Sequence, residues 1–166
     1  MHLKLLLLAA VLVTGAIVWV VLPTDQEKIE ARFAELIEVV NQEKPADAFG
    51  KLERLQRFKA LFTSTVYFHA VDLPLQETVT NEELTRFFFS LAERADTVSL
   101  RHEALEFLLI ADKRAEVKTH FHGEARMPDG KLYTSENTLK ATLAEVEGEW
   151  TFNEFQALET SRPEVD

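Results

Sequence analysis

A chain of 166 residues carrying 28 acidic and 18 basic side chains has room for one domain with its own core, and its net charge is −10. Such a charge repels phosphate backbones and anionic lipid, which argues against nucleic-acid binding. The complete lack of cysteine removes disulfides, thiolate zinc, thiol nucleophiles and bacterial lipidation, and five glycines leave no phosphate-cradling or dinucleotide loop.

The chain opens with an uncharged stretch of 18 residues, Leu5 to Leu22, the lower limit for a helix that spans a hydrocarbon core. A cleaved secretory signal carries a shorter apolar region, and cutting at Thr14-Gly15-Ala16 would leave Ile17 to Leu22 exposed. Residues 1–22 therefore read as a retained signal-anchor, a single transmembrane helix with Trp19 near its exit. Lys4 precedes the run, and Asp25 and Glu27 follow it. This places the N-terminus inside and the domain on the extracytoplasmic side of the plasma membrane, the periplasm of a Gram-negative cell.

The soluble domain is expected over residues 23–160. Thr24 with Glu27 forms a capping box, and Ile29, Phe33, Leu36, Ile37 and Val40 recur on one helical face. A second helix is expected from Pro45, bearing Phe49, Leu52, Leu55, Phe58, Leu61 and Phe62. "STVYFHAV" (64–71) is β-branched and aromatic and reads as a strand. After a Pro-containing loop, Thr80 and Glu83 open a third helix with Leu84, Phe87, Phe88 and Leu91.

From Thr97 the period becomes two. "TVSLRHEALEFLLI" predicts one bulged strand. In "RAEVKTHFHGEAR", Ala115, Val117, Thr119, Phe121 and Ala125 share one face, while Glu116, Lys118, His120, His122, Glu124 and Arg126 share the other. Pro128-Asp129-Gly130 and Glu147-Gly148 mark turns, "EWTFNEFQALE" closes the sheet, and residues 161–166 form a frayed tail. The order predicts an α+β domain, three helices covering the apolar face of a curved, mostly antiparallel sheet.

This order, with "LFTSTVYFHAV", "ELTRFFFSLAE" and "VEGEWTFNEFQAL", resembles the nuclear transport factor two-like (SnoaL-like, cone-shaped α+β) superfamily over roughly residues 25–160. The resemblance implies a cavity between sheet and helices, and a sheet face that mediates dimers in related folds. Ketosteroid-isomerase-like members place a proton-abstracting carboxylate just after the first strand and a tyrosine on the first helix. Here Ala70 stands at the former position with Asp72 offset, and the first helix offers only apolar residues inward. A base without an oxyanion donor forfeits much of the electrostatic stabilisation, so no catalytic set is assigned.

His120 and His122 share a strand face and with Glu116 or Glu124 could offer nitrogen and oxygen ligands. Their row also holds Lys118 and Arg126 and lies away from the core, without the dry surroundings that orient imidazoles, so no metal is assigned. Tyr67, His69, Asp72 and His102 are the candidate pocket-lining residues, although a lone His102 among Val98, Leu100 and Ala104 reads more readily as a hydrogen-bonded core histidine. No serine stands in a nucleophile elbow, and no cofactor motif occurs. The resulting expectation is a membrane-anchored, non-catalytic binding domain. Its pocket, or the face of Glu116, Lys118, His120 and His122, would contact a small apolar ligand, a partner protein or a second copy. The alternative is a small pocket enzyme of isomerase, dehydratase or hydrolase type.

Overall fold

The computed structural model of the chain describes residues 23–42, 48–70, 76–160 and 164–165. Among the described residues, three helices, α1 (Asp25–Val40), α2 (Ala48–Ala60) and α3 (Asn81–Arg94), accompany eight strands. These are β1 (Phe62–Ala70), β2 (Gln76–Thr80), β3 (Thr97–His102), β4 (Glu106–Ala111), β5 (Arg114–Arg126), β6 (Leu132–Val146), β7 (Glu149–Thr160) and β8 (Glu164–Val165). Among the described residues no helix is long and apolar enough to cross a membrane; the run Leu5–Leu22 lies outside them, as do Pro45 and Asp72.

Both expected capping boxes are present. Thr24 Oγ1 accepts from the Glu27 amide while the Glu27 carboxylate accepts from the Thr24 amide, and Thr80 with Glu83 repeats the pattern. α1 buries Ile29, Phe33, Leu36 and Val39, one side of each turn. Its C-terminal carbonyls are satisfied by Arg54 of α2: Nε donates to the Val39 carbonyl at 2.5 Å, Nη2 to that of Val40 at 2.7 Å, and Nη1 to the Gln42 side chain. A cation at a helix C-terminus answers both the orphan carbonyls and the dipole. The same guanidinium lies 5.2 Å above the Phe88 ring of α3, so one residue ties all three helices.

The sheet order is β2-β1-β7-β6-β5-β3, with β4 also on β5 and β8 on β6. The long hairpins β5–β6 and β6–β7 are antiparallel, but β1 lies parallel to β7, which makes the sheet mixed. Three features depart from the sequence reading. The expected single strand at 97–110 is broken, because residues 103–105 leave the ladder and β3 and β4 pair separately with β5. A short β2 precedes α3 and pairs with β1, and Glu164–Val165 pairs with β6 where a frayed tail was expected. Phe49 and Leu52 are exposed rather than packed, and Phe62 begins β1 instead of ending α2.

Between helices and sheet, Phe33, Phe58, Phe62, Phe121 and Phe152 form an aromatic core. Phe152 is fully buried and meets Phe33 edge-on at 5.0 Å, Phe155 at 5.4 Å and Phe62 at 5.8 Å. Edge-to-face and offset contacts at such spacing add to the area term.

Candidate functional site

Strand pleating sends alternate residues to opposite sides, so β5 and β6 each build two surfaces. On the inner side, Ala115, Val117 and Phe121 of β5 and Ala141 and Leu143 of β6 are buried under α1 and α2. Farther along the same rows the packing stops. Gly123 of β5 and Ser135 and Asn137 of β6 occupy inner positions, and above them lies a cavity of about 470 Å³. Its roof is Leu36 and Val40 of α1 with Leu84, Phe87, Phe88 and Leu91 of α3, and its wall includes Phe62, Phe68, Phe155 and Leu100. The volume falls within the ~300–1,000 Å³ of small-molecule sites.

Glycine at position 123 helps to make the space. A Cβ there would stand 3.2 Å from Ser135 Oγ and 3.9 Å from a Leu100 methyl, and any longer side chain would enter the cavity. A second apolar trough, about 590 Å³, shares Val40, Phe87, Leu91, Leu100, Gly123 and Ser135 with the first and continues it toward Tyr133 and Met127.

The sequence candidates divide. His69 lines the cavity, and so does Ala70. Tyr67 does not line it: the register places it opposite Glu154 on the outer side, where Tyr67, His69, Glu77, Thr78 and Glu154 form a separate depression. His102 does not line it either. Its ring packs edge-on against Phe33 at 5.8 Å and Phe121 at 6.0 Å, and Nδ1 contacts the Glu103 carbonyl at 2.5 Å, a half-buried histidine at the rim of the core. Asp72 lies outside the described residues. Gly123, Ser135 and Asn137 were not singled out from sequence; the signal was a break in an otherwise apolar inner row.

His69 stands at the boundary of the two depressions. Its Nε2 is buried and lies 3.3 Å from Glu154 Oε1, but it has no hydrogen-bond partner among the described residues. Within the described lining, His69 is the one titratable residue, and Ser135 and Asn137 are the other polar ones. Ser135 and Asn137, two apart on one strand, can jointly donate to an oxygen of a guest molecule.

The outer face of β5 holds the expected row. Glu116 bonds Arg114 at 2.8 Å and approaches Lys140 at 3.6 Å, Lys118 pairs with Glu106 at 3.6 Å, and His120 Nδ1 meets Thr138 Oγ1 at 3.2 Å. His122 contacts Glu136 through Nδ1 at 3.0 Å and Glu124 through Nε2 at 2.8 Å. The hydrogen bond to Glu124, followed by that to Glu136, raises the His122 pKa above its ordinary value, and His122 in turn lowers that of Glu124. The two carboxylates address opposite edges of the ring and do not converge on one point, and among the described residues no group of three or more metal-ligating side chains is gathered.

No family model matches the chain, and no curated protein matches it. Solved structures do. Kfla4162 from Kribbella flavida superposes with a TM-score of 0.67 at 13% identity, covering 84% of this chain and 93% of that one. A provisionally assigned scytalone dehydratase from Novosphingobium aromaticivorans gives 0.66 at 11%, covering 84% and 86%. Hexachlorocyclohexane dehydrochlorinase LinA-type3 from Novosphingobium barchaimii gives 0.62 at 7%, covering 85% and 89%. Three helices on a mixed sheet with a cavity between them, together with these superpositions, show that the described residues share the α+β fold of these solved structures.

Proposed function

We propose that the cavity receives one small, mainly apolar molecule and that the chain is a pocket enzyme that removes a proton from it, in an elimination or isomerisation. The observation that carries this reading is an apolar cavity of about 470 Å³ whose described lining holds one titratable group, His69, and one donor pair, Ser135 and Asn137. Apolar walls supply affinity and the donors fix orientation. His69 takes the proton from carbon, and the Glu154 carboxylate, 3.3 Å away, stabilises the imidazolium that results. In an elimination the electron pair of the broken C–H bond forms the double bond, and the leaving group departs with its own pair. Structural neighbours named for dehydration and dehydrochlorination support this choice over a non-catalytic role.

A second reading, non-catalytic capture of the same apolar molecule, is favoured by one observation: the register directs His69 toward the outer side of β1, opposite Gln156. The two readings separate in one experiment. Full-length protein in mild detergent is offered small cyclic alcohols, ketones and halides, with binding followed by saturation-transfer NMR and loss of water or halide by mass spectrometry. The enzyme reading expects turnover that falls at least 100-fold in His69→Gln while binding persists. Binding without turnover assigns the second reading. If no compound binds, or if Gly123→Leu binds as the parent does, neither reading survives.

A further inference from the structure

One end of the molecule gathers apolar side chains that serve neither the cavity nor the outer charge row. The β4–β5 turn (Asp112, Lys113) and the β6–β7 turn (Glu147, Gly148) lie side by side there, because the Glu145 amide donates to the Lys113 carbonyl at 2.9 Å. An ion pair between Arg32 and Glu149 holds the first half of α1 against the second turn. α1 runs away from this end: its C-terminal neighbour Gln42 pairs with Val98, whereas Phe33 meets His102 at the far end of β3. β4 continues that direction along β5, from Lys118 to Arg114. Helix α1 therefore starts at the end where β4 finishes.

The exposed apolar residues there are Leu108 (47%), Leu109 (43%), Ile110 (37%) and Val146 (48%). β4 is an edge strand with a bulge between Phe107 and Leu109. Edges left to water are blunted by lysine, proline, inward charge or a bulge; here the bulge is present, but "FLLIA" carries no charge and no proline. The uncharged run Leu5–Leu22 ends three residues before Asp25, a separation of at most about 11 Å, so whatever holds Leu22 lies beside this end.

We propose that this end rests on a lipid bilayer, with Leu108, Leu109 and Ile110 entering the interfacial layer next to the point where the preceding run leaves it. The proposal rests on the reading of residues 5–22 as a membrane segment and is independent of any activity in the cavity. Charge narrows the lipid. Asp25, Glu27, Glu106, Asp112, Glu145, Glu147 and Glu149 outnumber Lys28, Arg32, Lys113, Arg114 and Lys118 around this end, so the lipid surface it meets is an uncharged one, and attachment is insensitive to salt.

The chain has no cysteine, which makes single-site labelling direct. The full chain carrying Leu109→Cys, tagged with an environment-sensitive fluorophore, is reconstituted in phosphatidylcholine vesicles with and without nitroxide-bearing acyl chains. Phe49→Cys, exposed at the opposite end, is the reference. Co-flotation with at least threefold stronger quenching at position 109 than at 49 is the expected result. Flotation with equal quenching at both sites overturns the docking while leaving the anchor. Failure to float overturns both. A label shielded from water yet unquenched by lipid, with β4 cross-linking between copies, assigns the edge to a second copy and also overturns the proposal.

Discussion

Along β5 and β6, one set of residues turns inward and the next outward, and the two surfaces are finished differently. Outside, charged and polar side chains find one another: Glu116 with Arg114 and Lys140, Lys118 with Glu106, His122 with two glutamates. Inside, the packing is dense as far as Phe121 and Ala141 and then gives way to Gly123, Ser135 and Asn137 under open space. Surface ion pairs of this kind contribute little each, so the outer row sets solubility and contact chemistry more than stability. Dense inner packing carries the fold, and the place where it stops opens the candidate site.

The largest effect expected within this contrast comes from the packed part. Phe152→Ala removes a fully buried ring with three aromatic neighbours and should cost about 3–5 kcal/mol, read as a lower urea midpoint at unchanged slope. Arg54→Met keeps the contact with Phe88 but leaves the Val39 and Val40 carbonyls without their donor; a loss of about 2 kcal/mol is expected, and recovery by Arg54→Lys should be partial because the fork is lost.

At the open part the ranking reverses, with little stability at stake and much binding. Gly123→Leu fills the cavity and should weaken a bound apolar compound at least tenfold by NMR titration; adding Ser135→Ala relieves the 3.2 Å approach without restoring affinity. The smallest effect is outside. Because the folded pKa of His122 is raised, the stability that its protonation contributes is fully present below the unfolded value near 6.5 and is lost as pH rises through the folded value. His122→Gln should flatten the thermal midpoint against pH in that window and leave ligand binding untouched. A binding change in this variant would mean that the two faces are coupled.

Much of the local structure was legible. Thr24 with Glu27 and Thr80 with Glu83 start their helices as their spacing predicts, and the alternation of 115–126 sorts the two faces of β5 correctly. The parallel pairing of β1 with β7 was not, because it joins residues about ninety positions apart and depends on the register of the whole sheet. Tyr67 illustrates the site-level error. Its strand was recognised, but a strand alone does not say which of its sides meets the helices, and the partner that decides this, Glu154, lies in β7. Gly123 was passed over because an inner row is recognised by its apolar members, whereas a cavity is recognised by the members that are missing.

Helix α1 also acts as a spacer. Its sixteen residues set Val40, on the cavity wall, about 22 Å from Asp25. If the docking proposed above holds, that length keeps the chamber clear of the lipid, and any guest would have to reach it through water.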